Sequence, residues 1–116
     1  MIHGIGIDTV EISRFERAMK RWGERFSNRL FTPSELAYCL GKRCPARHLS
    51  ARFAAKVSFI KALGRTVAYR EVEVGNGSTG APSIFSSAIE TGMLVSVSIS
   101  HDGDLSVAET VIERAG

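Results

Sequence analysis

The sequence predicts an α+β domain with helices packed on an antiparallel sheet, and three observations carry the prediction. Apolar residues recur at spacings of three and four through the first half. In the second half they alternate with serine and glutamate, and glycine-rich turns separate the alternating runs. At 116 residues, 44% hydrophobic and 23% charged, the composition is that of one globular unit, so residues 1–116 are read as a single domain without linker, repeat or low-complexity segment. A core of this size leaves about a third of the unfolded surface exposed, and an enzyme built on it is expected to borrow walls for its site from a neighbouring subunit.

In chain order, Ile5 and Ile7 alternate with small residues from Met1 onward, which predicts a strand that delivers Asp8 at its end, at a junction with a helix. From Glu11 to Phe26 the residues Ile12, Phe15, Met19, Trp22 and Phe26 define one buried helix face, and Arg14, Arg17, Arg21 and Arg25 line the opposite one. A second helix begins at Thr32-Pro-Ser-Glu35, where Thr32 caps, Pro33 fits the first turn and Glu35 completes a capping box; Gly41 ends it. The longest helix is predicted from about Arg47 to Leu63, stopped by Gly64, with Leu49, Phe53, Val57 and Ile60 on one stripe and Arg52, Lys56 and Lys61 on a cationic side.

Strands dominate the remainder. Val72 and Val74 alternate with glutamates, the Gly75–Gly80 segment reads as a turn, and Ile84-Phe85 follow Pro82. Val95, Val97 and Ile99 alternate with Ser96, Ser98 and Ser100, and a turn over His101–Asp104 leads into a last strand, Leu105–Ile112.

Fifteen Lys and Arg against twelve Asp and Glu give a net charge of only +3, but the positive charge is concentrated between Arg14 and Lys61, a half that should attract anions. Glutamates interrupt this basic region and no aromatic stacking platform is evident, so a nucleic-acid partner is not expected. No run approaches the ~18 apolar residues of a membrane span. Met1 leads directly into a strand-like run without a signal-peptide pattern, so no membrane partner and a cytoplasmic location are expected. Cys39 and Cys44 are read as reduced thiols.

The residues alone support a limited chemistry. Gly4-x-Gly6 has Thr9 where a dinucleotide fingerprint needs its third glycine and no βαβ unit follows, which rules out that site. Asp8 before a helix reads by itself as a cap, the arginine stripe as a solvated face, and Ser100-His101-Asp102 as sequence neighbours that cannot converge into a triad. A carboxylate, a histidine and clustered cations suit a magnesium-bound polyphosphate better than an acyl substrate.

The segments Gly4-Ile-Gly-Ile-Asp8, Phe31-Thr-Pro-Ser-Glu35, Arg52-Phe-Ala-Ala-Lys56, Lys61-Ala-Leu-Gly64, Gly80-Ala-Pro82 and Ser98-Ile-Ser-His101 resemble, in order and spacing, the successive signatures of the holo-acyl-carrier-protein synthase family of 4'-phosphopantetheinyl transferases. The resemblance spans nearly the whole chain. It implies a homotrimer of small α+β subunits with sites at subunit interfaces, moving the phosphopantetheine arm of coenzyme A to a serine of an acyl carrier protein for fatty acid biosynthesis. It also implies that Asp8 binds Mg2+, that Lys61 and His101 act at the coenzyme A phosphates with His101 contributed by the adjacent subunit, that Arg52, Gly64 and Pro82 complete the coenzyme A site, and that Arg14, Arg21 and Arg25 meet the acidic carrier protein. The chain departs from the family at Val57, where the pattern has a second metal-binding glutamate. Glu35, Ser58 or Asp102 could supply a substitute oxygen. Two readings follow: a working transferase, or a catalytically impaired member that binds coenzyme A or carrier protein without efficient turnover.

Overall fold

The computed structural model describes residues 1–115. Its elements in chain order are β1 (Ile2–Glu11), α1 (Ile12–Leu30), α2 (Pro33–Leu40), α3 (Pro45–Leu63), a 3-10 turn (Tyr69–Glu71), β2 (Val72–Asn76), β3 (Pro82–Ser86), β4 (Met93–Asp102) and β5 (Leu105–Arg114). Strands β1, β5 and β4 form an antiparallel sheet in that order, and β2 and β3 form a separate antiparallel hairpin. The predicted α+β class is correct, with the strands divided between two sheets rather than one. No helix among the described residues is long and apolar enough to cross a membrane.

Helix α3 packs across the three-stranded sheet, and small residues set how closely it lies. A Cβ on Gly4 would fall 1.9 Å from the Ala62 carbonyl oxygen, and one on Gly6 would fall 2.0 Å from that of Ser58. The glycines that superficially suggest a dinucleotide loop therefore serve backbone-to-backbone packing of strand on helix. Facing them, Ser50, Ala54, Ser58 and Ala62 repeat every fourth residue, a spacing that keeps them on one side of the helix. Their buried hydroxyls are paired: Ser58 Oγ lies 2.7 Å from Thr110 Oγ1, and Ser50 Oγ lies 2.9 Å from Ser106 Oγ. The main core joins this layer to the hairpin through Phe59, Leu63, Val72, Val74, Ile84 and Ile112. A second cluster under α1 and α2 contains Phe15, Leu30, Phe31, Cys39 and Leu49.

The local signals for α2 and for the end of α3 are realised. Thr32 Oγ1 accepts from the Glu35 amide at 3.3 Å, the Glu35 carboxylate accepts from the Thr32 amide at 2.9 Å, and Gly64 closes α3 in the left-handed region at φ 84°. Cys39 is a buried free thiol and Cys44 an exposed one.

Four expectations are corrected. Strand β1 does not end at Asp8, because its pairing with β5 continues to Glu11 opposite Leu105, so Asp8 sits within the strand opposite Ala108 and not at the junction with the helix. Helix α1 runs past Phe26 to Leu30 but is interrupted at Gly23 (φ 64°, ψ −150°), which ends a continuous arginine stripe between Arg21 and Arg25 and turns Trp22 outward at 60% exposure. Arg52 and Lys56 are buried and only Lys61 remains on a cationic surface. His101 lies inside β4, and the hairpin turn begins only at Gly103.

Candidate active site

Gly4, Gly6, Asp8 and Val10 of β1 share by register the sheet face that meets α3, together with Ser106, Ala108, Thr110 and Ile112 of β5 and Val95, Val97, Ile99 and His101 of β4. Helix α3 packs on β1 and β5, and Asp8 and His101, on the two edge strands, meet different sides of it: Phe53 and Val57 border Asp8, whereas His48 and Arg52 border His101. Each opens into its own cleft.

The first cleft lies between β1, α1 and α3, has a volume of about 550 Å³, and is lined by Asp8, Glu11, Arg14, Phe15, Phe53 and Val57 among others. Asp8 Oδ1 is 3.5 Å from Lys61 Nζ, and the same ammonium donates to the Ile7 carbonyl at 3.0 Å. Burial holds the Asp8 carboxyl above its ordinary range, and the Lys61 charge opposes this only partly. Beyond Val57 a neighbouring cavity is lined by Arg29, Val57, Ile60, Lys61, Thr66 and Tyr69. Val57 is thus half-buried on a wall common to both cavities, so its place on the apolar stripe and its place at the site hold together. Gly64 follows Lys61 at the exposed end of α3.

Glu11 also borders this cleft but belongs to the opposite sheet face, so a divalent cation on the α3-facing side would find the Asp8 carboxylate, and no group of three His, Cys, Asp or Glu side chains able to hold a metal occurs among the described residues. This donor set fits magnesium in the form that takes one protein carboxylate and draws its other ligands from substrate phosphates and water. The substitutes considered for Val57 are engaged elsewhere. Glu35 is buried against Lys56, Ser58 is bonded to Thr110 and the Ala55 carbonyl, and Asp102 belongs to the row Asp102–Leu105–Glu11 on the opposite sheet face from Asp8.

The second cleft, about 140 Å³, is lined by Tyr38, His48, Arg52, Asn76, Pro82 and His101 among others. It brings together three residues singled out from the sequence, Arg52, Pro82 and His101. The Arg52 guanidinium donates to the Val74 carbonyl and lies 4.5 Å over the Tyr38 ring, so it shapes the cleft from beneath as much as it charges it. His101 Nδ1 is 3.1 Å from Ser106 Oγ. Burial above all, then the nearby Arg47 and His48 charges, hold the His101 imidazole below its ordinary pKa.

Between the clefts runs a buried ion pair. Lys56 Nζ donates to Glu35 Oε1 at 2.6 Å and to the carbonyls of Leu30 at 2.8 Å and Tyr69 at 3.0 Å, while Glu35 Oε2 accepts from the Val74 amide at 2.8 Å. Burial depresses the Lys56 pKa even so. Arg14 reaches the first cleft, Arg21 stands over the Trp22 ring at 5.0 Å, and Arg25 lines a surface hollow with Trp22 and Arg29 beyond the Gly23 break. The three arginines are exposed, but not on one straight helix face.

Sequence reasoning missed Tyr38, His48, Ser50 and Ser106 around the second cleft. The four-residue repeat Ser50, Ala54, Ser58, Ala62 was the available signal for a helix lying very close to a sheet, and with it for buried hydroxyls on both sides.

Residues 4–110 match the model of the 4'-phosphopantetheinyl transferase superfamily. The chain belongs to that superfamily. It is 39% identical to a holo-[acyl-carrier-protein] synthase of Geotalea daltonii over 98% of this chain and 100% of the relative. Its fold superimposes on the holo-[acyl-carrier-protein] synthase of Neisseria meningitidis with a TM-score of 0.89 at 35% identity, covering 98% of this chain and 100% of the other. A Bacillus anthracis holo-(acyl-carrier-protein) synthase, solved in complex with CoA (3',5'-ADP), gives a TM-score of 0.84 at 32% identity over 99% of both chains. Membership of the transferase superfamily thus rests on the whole chain, as the spread of motifs from Gly4 to His101 implied.

Proposed function

We propose that this chain transfers the 4'-phosphopantetheine arm of coenzyme A to a serine of an apo acyl carrier protein, releasing adenosine 3',5'-bisphosphate, in the cytoplasm. The observation that carries the reading is the full-length likeness to holo-[acyl-carrier-protein] synthases, one of them solved with CoA (3',5'-ADP), combined with an Asp8–Lys61 pair at the mouth of a cleft. In the reaction the serine hydroxyl releases its proton to solvent as its oxygen attacks the pyrophosphate phosphorus next to the pantetheine arm, the bond from that phosphorus to the bridging oxygen breaks, and the bisphosphate leaves with the bonding pair. Such a transfer needs positioning and charge neutralisation more than covalent help. Lys61, half-exposed and tethered among the described residues only to Asp8 and one carbonyl, is free to turn its ammonium to a phosphate. Magnesium, held by Asp8 and the pyrophosphate oxygens, would neutralise charge that develops there. Arg52, Gly64 and Pro82 would frame the coenzyme, and Arg14, Arg21 and Arg25 would receive an acidic face of the carrier protein.

Asp8 and His101 open on opposite sides of α3, which favours a coenzyme A that meets the Asp8 cleft of one subunit and the His101 cleft of another. The sheet face away from α3 supports that assembly, since Ile5, Ile7 and Leu94 stand there 60%, 55% and 62% exposed. We read this face as the seam of a homotrimer in which the His101 cleft of one subunit completes the Asp8 cleft of the next.

The impaired-member reading draws on Val57, which leaves the Asp8 cleft with an apolar wall where a second carboxylate would stand. The deciding measurement is the mass of an apo acyl carrier protein after incubation with coenzyme A, Mg2+ and this chain, run beside Val57→Glu. A phosphopantetheine increment is expected with the chain as it stands, and a rise of roughly tenfold in rate with Val57→Glu, about 1.4 kcal/mol of barrier. An increment with the variant alone would establish the impaired reading, and none with either would remove the transferase assignment.

A further inference from the structure

Ser106, the hydroxyl on which His101 rests, is fully buried, and so is the next hydroxyl, Ser50. The direction of the protons along this chain is fixed at its far end. Ser50 Oγ is 3.1 Å from the Arg47 carbonyl, which can only accept, so that contact is a hydrogen bond only when the single Ser50 proton points there. Ser50 then has only lone pairs to offer Ser106 at 2.9 Å, and the Ser106 proton must point to Ser50. Ser106 in turn has only lone pairs to offer His101 Nδ1 at 3.1 Å, so Nδ1 must carry a proton. With one proton on each hydroxyl, this is the arrangement in which all three contacts are hydrogen bonds; the reverse relay would forfeit the one to Arg47.

We infer that Ser50 and Ser106 are positioning residues that lock neutral His101 in its Nδ1–H tautomer and turn the Nε2 lone pair to the second cleft. Nε2 has no partner among the described residues and is the atom left for a ligand. A lone pair repels a phosphate oxygen, whereas the imidazolium offers it an N–H. His101 therefore binds phosphate only when doubly protonated. The other charged or titratable groups around it are Arg47, His48 and Arg52 of α3 and Tyr38 of α2; Asp102 of its own strand belongs to the opposite sheet face. Burial first, and then the cations on the α3 side, make the imidazolium lose a proton at lower pH than an isolated histidine would. The same arrangement excludes Ser106 as a nucleophile, because its proton is directed away from the imidazole and no solvent reaches it. The ligand consequence rests on the transferase reading; the tautomer does not.

The test uses the whole protein labelled with 15N, recording long-range 1H–15N correlations at a pH above the His101 titration, with the His101 signals assigned by their loss in His101→Gln. The native chain is expected to show Nδ1 protonated and Nε2 bare. In Ser50→Ala the Ser106 proton loses its acceptor and turns to His101 Nδ1, so the tautomer switches to Nε2–H; in Ser106→Ala both tautomers appear. An Nε2–H tautomer in the native chain, or an unchanged one in Ser50→Ala, overturns the relay, and a thermal melt identifies a variant that has simply unfolded, in which case the native spectrum decides alone. The second readout is the Kd for coenzyme A by calorimetry on either side of the titration. We expect roughly tenfold weaker binding on the alkaline side in the native chain, and a smaller change in Ser50→Ala, where Nε2 donates in either state. Equal pH dependence in the two would overturn the coupling to the ligand, whereas absence of binding in both at any pH would strike the transferase reading and leave the tautomer result standing.

Discussion

Two lysines five residues apart on α3 have opposite environments. Lys56 is fully buried, with its ammonium spent on Glu35 and two carbonyls, whereas Lys61 is 54% exposed beside Asp8 and holds one carbonyl. The comparison teaches that a cation on a helix is defined by what surrounds its tip: satisfied in the interior it is scaffold, and loosely held at a cleft mouth it is available to a substrate. Helix α3 performs both tasks by presenting one lysine to the α2 capping turn and the other to the edge strand β1.

The largest effect that could break this contrast is on stability. Lys56→Ala leaves the Glu35 carboxylate charged and buried with two carbonyls unpaired, and should cost about 3–5 kcal/mol in urea unfolding. Adding Glu35→Gln should recover part of the loss by removing the orphaned charge. A cost of Lys56→Ala below about 1 kcal/mol would show that the buried pair is not a scaffold.

Lys61→Ala should do the reverse. An exposed pair contributes little to folding, so unfolding should shift by less than about 0.5 kcal/mol. Removal of a cation from the transferred phosphate should lower kcat/KM roughly hundredfold, about 2.7 kcal/mol. The Asp8 carboxyl also loses the charge that partly offsets its burial, so its pKa rises further and the acid limb of the activity profile should move to higher pH. If Lys61→Ala unfolds the protein while Lys56→Ala leaves it stable, the assignment of roles is inverted.

The same contrast marks what was legible beforehand. Capping boxes, glycine stops and alternating strands are local, and Thr32-x-x-Glu35, Gly64 and Val95–Ile99 were readable from neighbours alone. Periodicity puts Lys56 and Arg52 on a cationic side of α3 because it locates a face without saying what covers it; the Glu35 carboxylate and the Val74 carbonyl that meet them there come from elsewhere in the chain. Asp8, Lys61 and His101 were legible through resemblance, yet their division between two clefts depends on strand order β1-β5-β4, which no local pattern encodes. Gly23 was read through because apolar spacing continued past it, and only its positive φ ends the stripe.

The smallest effect concerns Glu73, a carboxylate in contact with the same capping turn as Glu35 but near solvent. Thr32 Oγ1 and Ser34 Oγ donate to it, and these hydrogen bonds, more than any charge, hold its pKa below the ordinary glutamate value. A depressed folded pKa means that the unfolded chain binds the proton more readily, so the contribution to stability is complete above the ordinary value and is lost as pH falls through the depressed one. Solvent screening limits it to about 0.5 kcal/mol. Glu73→Gln keeps an acceptor oxygen and removes the charge, so unfolding free energies of variant and native chain should differ by that small amount at neutral pH and converge in acid. A gap that persists unchanged in acid would mean that Glu73 acts through packing of the β2–β3 hairpin on α2 and not through its charge.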